Sequence, residues 1–286
     1  MYKLSLLLAV FLFLIQPALL AETDDSIRIA IIDTGISTQA LNSEQIAQGK
    51  NYILPEAGTE DKINHGTAIA SLIIGKPDRG LEGAYPEATL VPLVYISLDG
   101  KSLVKGDADM IAQMIYDAVD LFSCRVINLS AGVLIDSKEL KHACEYAEKK
   151  GVVIVSAVGN DHVSDPQNIY YPAAYDTVIG VGSLDAEGEV SKFSQQNTSV
   201  ALVASGEDLW VARASGRMTH VSGTSYASAF VSAAAAMILA ENPDLTPADV
   251  RSILYESADD MGEAGYDIES GYGALNWSPN SFIYNQ

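Results

Sequence analysis

Three short triplets carry side chains that could share one reaction. Asp33-Thr34-Gly35, His65-Gly66-Thr67 and Gly223-Thr224-Ser225 supply, in that order, a carboxylate, an imidazole and a hydroxyl. A serine hydroxyl is a weak nucleophile near neutrality and needs a base within hydrogen-bond reach. The base in turn needs a carboxylate to fix its tautomer and stabilise its cation. Val158-Gly159-Asn160 adds a side-chain amide that could be aimed at a developing oxyanion. Taken singly, each has a structural explanation: Asp33 as a turn former, His65 as a structural histidine at a helix start, Ser225 as an N-cap. The chemistry rests on the ordered set.

Positioning these groups requires elements that converge on one edge. Ile27 to Asp33, Thr89 to Ile96, Arg125 to Ser130, Val152 to Ala157, Thr177 to Gly182 and Val200 to Ala204 read as strands, several of them apolar almost throughout. Such runs fit strands buried on both faces of a parallel sheet. Between them lie helical patterns. In Asp109 to Phe122, apolar pairs recur every four residues. Ser137 looks like an N-cap for a helix that stops before Gly151, and Thr246-Pro247 opens a last helix through Tyr255. Tyr226 to Ala240 is apolar enough to be a buried helix. Strand and helix in repetition imply right-handed crossovers and an α/β fold: a doubly wound, mostly parallel sheet with helices on both faces. In such sheets, active groups collect at the carboxyl ends of the strands, where Asp33 falls.

The chain has 286 residues, with 17 Lys and Arg against 37 Asp and Glu, a formal net charge of −20. That balance argues against a nucleic-acid partner or an anionic membrane surface. With 48% apolar residues it is globular and not an acidic disordered chain. Met1 to Ala21 has one cation, Lys3, a short apolar stretch and small residues at Ala18 and Ala21, the pattern of a signal peptide. A secreted or periplasmic location follows, with residues 22–286 as one domain and no membrane contact after signal removal; an uncleaved anchor is the alternative. Cys124 and Cys144 are open to two readings, a disulfide formed after export or two buried thiols.

On these motifs the sequence resembles the subtilisin family of serine proteases, from Ile27 to Asn276. Ile127-Asn128-Leu129-Ser130-Ala131-Gly132 is similar to the family's strand bordering the substrate, and Gly271 to Asn276 to its closing segment. The resemblance implies a subtilisin-like fold in which Asp33 orients, His65 is the general base and Ser225 is the nucleophile. Asn160 and the Ser225 N–H would be the oxyanion donors. Ser130, Ala131 and Gly132, with Asp99 and Gly100, would pair with an extended peptide as added strands. Asp99, Asp107 and Asp109 near that edge would favour basic substrates, while most remaining acids form a solvated shell.

The sequence departs from the family's pattern in five respects. Tyr226 stands where Met is usual, Ala229 where Pro is usual, and Ala68 where a second His is usual. The first two bear on the leaving-group side of the cleft. The segments that would supply a strong calcium site read Gln39-Ala40-Leu41 and Gly75-Lys76-Pro77-Asp78-Arg79-Gly80, which lack the expected oxygen ligands. No cofactor is required, and calcium would need a weaker site elsewhere. Only Glu22 to Ser26 separate the signal from the protease, so folding is expected to proceed unaided or with a folding or inhibitory partner in trans.

The function this implies is an exported serine endopeptidase working through an acyl-enzyme on peptide or protein substrates. Two alternatives stay open: a processing protease or transpeptidase dedicated to one substrate, and an inactive peptide-binding scaffold.

Overall fold

The computed structural model describes residues 26–276; the signal-like segment 1–21 lies outside them. In chain order the elements are β1 (Arg28–Asp33), β2 (Lys50–Asn51), α1 (His65–Ile74), β3 (Thr89–Val94), β4 (Ile96–Asp99), β5 (Ser102–Lys105), α2 (Ala108–Asp120), β6 (Val126–Leu129), α3 (Lys138–Lys149), β7 (Val153–Ala157), β8 (Val178–Leu184), β9 (Leu202–Ser205), β10 (Leu209–Ala212), β11 (Met218–Val221), α4 (Thr224–Glu241) and α5 (Pro247–Glu256).

Seven strands form one sheet in the order β2-β3-β1-β6-β7-β8-β9, every neighbouring pair parallel. The apolar runs explain it. In β1 the side chains alternate, Ile29 and Ile31 entering the core beneath α1, α4 and α5, Ala30 and Ile32 entering the core beneath α2 and α3. Both faces are therefore covered, the doubly wound α/β arrangement, and each fully buried Ile contributes about 1.5–3 kcal/mol relative to exposure. The six strands read from the sequence are all in this sheet; β2 adds one edge. The Thr89 to Ile96 run divides, because β3 ends at Val94 and Ile96 opens an antiparallel hairpin with β5.

The helices start where their caps dictate. Ser137 accepts the Leu140 N–H at 3.3 Å, and Thr246 and Asp249 form a reciprocal capping box. Asp107 caps α2 by accepting the Met110 N–H at 3.0 Å. α4 has the length and hydropathy of a membrane span but is mostly buried between the sheet, α1 and α5. Its Ala233 to Ala236 run lets it lie close over β6 to β9. Cys124 and Cys144 are free thiols buried in the core beneath α2 and α3, and burial pushes both up to about 12.

β1 is flanked by β3 on one side and β6 on the other, so the chain reverses its direction of growth across the sheet there. A crevice opens at the carboxyl ends of strands at such a reversal. Asp33 closes β1, Ser130 follows β6, Asn160 lies three residues past β7, and α1 and α4 begin over the same edge.

Candidate active site

Asp33 is 3% exposed, and both its oxygens lie 2.8 Å from His65 Nδ1. The approach depends on Gly66, where a Cβ would stand 2.2 Å from the Gly35 carbonyl oxygen and 3.2 Å from the Asp33 carboxylate. A glycine there lets the first turn of α1 descend onto the end of β1. The two elements are fastened by Asp61, a buried carboxylate that accepts five hydrogen bonds. Its Oδ1 takes the Thr34 hydroxyl at 2.9 Å and the Ile63 and Asn64 N–H groups at 2.8 Å; its Oδ2 takes the Thr67 N–H at 2.9 Å and hydroxyl at 2.7 Å. Thr34 Oγ1 in turn accepts the Gly66 N–H at 2.9 Å. Sequence reasoning missed Asp61, whose partners lie on separate segments.

With Nδ1 turned to Asp33, His65 leaves Nε2 for the cleft. Burial works to lower its pKa, but the charge and hydrogen bond of Asp33 outweigh it, so the value stands above 6.5. The ring of Tyr226 packs beside the imidazole, centroids 5.3 Å apart and tilted by 46°.

Ser225 is the second residue of α4, whose N-cap is Gly223, so its hydroxyl caps nothing. Among the described residues the hydroxyl's one hydrogen bond is a weak one, donated to the Ser130 carbonyl at 3.4 Å. Catalytic hydrogen bonds are often made only once substrate is bound, and a rotation about the Cα–Cβ bond is what a serine in this position has available. The N–H of Ser225, in the first turn of α4, has no carbonyl four residues back within the helix.

Asn160 is oriented unambiguously. Its Oδ1 accepts the Thr224 N–H at 2.8 Å and the Thr224 hydroxyl at 2.9 Å; because a backbone N–H can only donate, Nδ2 must face the other way. Asn160 and Ser225 line one cavity of about 320 Å³ together with Ser130, Ala131 and Gly132. The structure pairs the carboxylate with the imidazole and sets the Ser225 hydroxyl beside the Asn160 amide; among the described residues no hydrogen bond joins that hydroxyl to His65. Asp99 and Gly100 do not line this cavity. They sit at the turn of the β4–β5 hairpin, with Gly100 at φ 61°. Asp107 is engaged at the start of α2.

Two further residues shape the cavity and carried no sequence signal beyond adjacency. Asp161 accepts from Asn168 at 2.6 Å, Tyr170 at 2.8 Å and Gln195 at 2.7 Å. Burial would raise its pKa, but these donors prevail and hold it below the usual value. They fix Tyr170 across Gly159, where a Cβ would meet its ring at 2.5 Å. Beneath the site, fully buried Asn128 of β6 accepts from Ser228 at 3.0 Å and Ser232 at 2.9 Å and donates to Ser130 Oγ at 2.9 Å, tying α4 to the sheet.

The segments in which a calcium ion would be sought, 39–41 and 75–80, do meet. Lys76 joins them: its Nζ donates to the Ala40 carbonyl at 2.6 Å and pairs with Asp78 at 3.2 Å. An ammonium at that junction does not fit a second cation, and among the described residues no group of three or more His, Cys, Asp and Glu side chains could hold a metal.

Compared with known proteins, residues 24–273 match the model of the Subtilase family. Subtilisin DY of Bacillus licheniformis is 31% identical over 253 residues, 88% of this chain and 89% of that protein. The major intracellular serine protease of Bacillus subtilis (strain 168) is 35% identical over 221 residues, 74% of this chain and 68% of that protein. Among solved structures, sphericase is similar with a TM-score of 0.77 at 28% identity, covering 87% of this chain and 91% of that one.

Proposed function

The chain belongs to the subtilase family of serine-type endopeptidases, and on that premise we propose that Asp33, His65 and Ser225 cleave peptide bonds through an acyl-enzyme. His65 takes the Ser225 proton as the hydroxyl attacks the scissile carbonyl. The tetrahedral oxyanion is held by Asn160 Nδ2 and the Ser225 N–H, the latter at the positive end of α4. His65 then gives the proton to the departing amine, and water repeats the sequence to release the acyl group. Asp33 keeps the imidazole in its tautomer and stabilises the imidazolium. Ser130 to Gly132 hold the acyl side of the peptide as an added strand. No cofactor takes part.

The observation that carries this reading is the 2.8 Å contact of His65 with buried Asp33 beside a cavity shared by Ser225 and Asn160. The test is labelling by an active-site-directed fluorophosphonate together with peptide turnover. Both are expected in the intact protein and absent in Ser225→Ala; labelling that survives the substitution would overturn the assignment.

Export is part of the proposal and rests on residues 1–21 alone, since the family includes a relative named as intracellular. Mature protein recovered outside the cytoplasm should begin at Glu22. Recovery inside the cell with Met1 retained would reject it.

A further inference from the structure

Where a chain of net charge −20 places its few cations is informative. Arg213 and Arg217 both lie on the turn between β10 and β11, exposed, and among the described residues neither guanidinium has a hydrogen-bond or ion-pair partner. Asp208, the acid on the same hairpin, is paired with His220 at 2.8 Å. Arg213 lines a groove of about 330 Å³ that starts at His65, Ala68 and Tyr226. The groove continues into a wider one of about 670 Å³ lined by Arg213, Arg217, Asn64 and Ser215.

The turn that carries the two arginines is anchored to the site. Ala214 donates its N–H to Asn64 Oδ1 at 3.2 Å and accepts the Ser37 hydroxyl at 2.9 Å. Asn64 is the N-cap of α1, immediately before His65, and Ser37 follows β1. Within the turn, Arg213 N–H bonds the Arg217 carbonyl and Gly216 N–H bonds the Arg213 carbonyl, each at 2.8 Å. The guanidinium groups therefore project from a frame fixed relative to the imidazole.

The chemistry says which part of a substrate meets them. The acyl half sits with Ser225 and Asn160, and His65 must reach the leaving nitrogen. The groove that begins at His65 and Tyr226 and excludes Asn160 thus receives the residues after the cut. Across the nucleophile the sign of charge changes, because Asp161 lines the acyl-side cavity. Resting on the peptidase reading above, we propose that Arg213 and Arg217 select substrates with acidic side chains in the first residues after the scissile bond. Aspartate or glutamate there gains charge-assisted hydrogen bonds from unpaired guanidiniums, and a lysine is repelled.

The test uses internally quenched peptides identical up to the cut and carrying Asp, Ala or Lys at the first and second positions after it. kcat/KM should favour Asp over Ala by about three- to tenfold, with Lys lowest, and the ratio should shrink as salt is raised from about 0.02 to 0.5 M. In the double variant Arg213→Gln, Arg217→Gln the Asp-to-Ala ratio should fall to about one. Equal cleavage of all three peptides, or an Asp preference that survives in the double variant, would overturn the proposal. So would a preference for a free C-terminal carboxylate over its amide, combined with indifference to an internal Asp. Binding of the same peptides to Ser225→Ala, read by fluorescence anisotropy, keeps the two readings apart. Preference for Asp in binding without turnover by the intact protein would reject the peptidase reading, and this proposal with it, leaving only an acidic-peptide site at the arginines; turnover with no preference in binding or in kcat/KM would overturn this proposal alone.

Discussion

His65 Nδ1 is equidistant, at 2.8 Å, from the two carboxylate oxygens of Asp33. A proton on that nitrogen is shared between both, and the imidazolium that the proposed proton transfer would form is met by a buried counter-charge already in place. The pair is thus arranged for the cationic form of His65, although the base must be neutral to begin.

That tension sets the pH dependence. With His65 raised above 6.5, the acid limb of kcat/KM should lie above that value, and activity should be highest from neutral into the alkaline range. Asp33→Asn should lower kcat about 10⁴-fold and move the residual limb to lower pH. The same pair stabilises the fold below the unfolded value of 6.5 and loses that contribution as pH rises through the folded one. pH-rate profiles of both proteins check this; a limb at or below 6.5 in the intact protein would refute the charge pairing.

With Oδ1 held by Thr224, Asn160 Nδ2 is the side-chain donor proposed for the oxyanion. Asn160→Ala should therefore reduce kcat by about 10²–10³ while leaving KM nearly unchanged, because the interaction exists chiefly in the transition state. Steady-state kinetics decide the matter. A raised KM with an intact kcat would mean that the amide binds the ground state instead.

Asn128→Ala should destabilise the fold by about 1–3 kcal/mol, since it strands the buried Ser232 hydroxyl and removes one partner each from Ser228 and Ser130. For a chain of this size that is a fall in Tm of about 3–10 °C, read by thermal denaturation. An unchanged Tm would show that the network is repaired by water or by neighbouring carbonyls.

The core strands were legible because their signals are local, whereas the three chemical triplets stood out only as an ordered set and through the family resemblance. Ile29 to Ile32 are buried whatever lies around them, and Ser137 and Thr246 announce their helices through hydrogen bonds three residues away. Asp61 was illegible for the opposite reason: its role is to gather donors from Thr34, Ile63, Asn64 and Thr67, and only the fold brings Thr34 to the others. Asn128 read as part of a buried strand, with nothing to say that three serines would converge on it. Asp99 and Gly100, expected at the peptide-binding edge, form the turn of the β4–β5 hairpin, a pairing that the sequence did not announce. β10 and β11 were passed over because the polar turn Arg213 to Arg217 interrupts two short strands, and that turn is where the further specificity is proposed.

Lys76 has a consequence in terms of mass action. A protein that borrows a cation from solution gains RT ln(1 + [L]/Kd) from it, a contribution that fades as the ion is diluted or captured. Here the positive charge between Ala40 and Asp78 is covalently part of the chain, at a concentration fixed by its own tether. The junction of the β1 exit with the far end of α1 is thus bridged by a charge that dilution or a chelator cannot remove, while its exposed partner Asp78 leaves the ion-pair half of the bridge open to screening by salt.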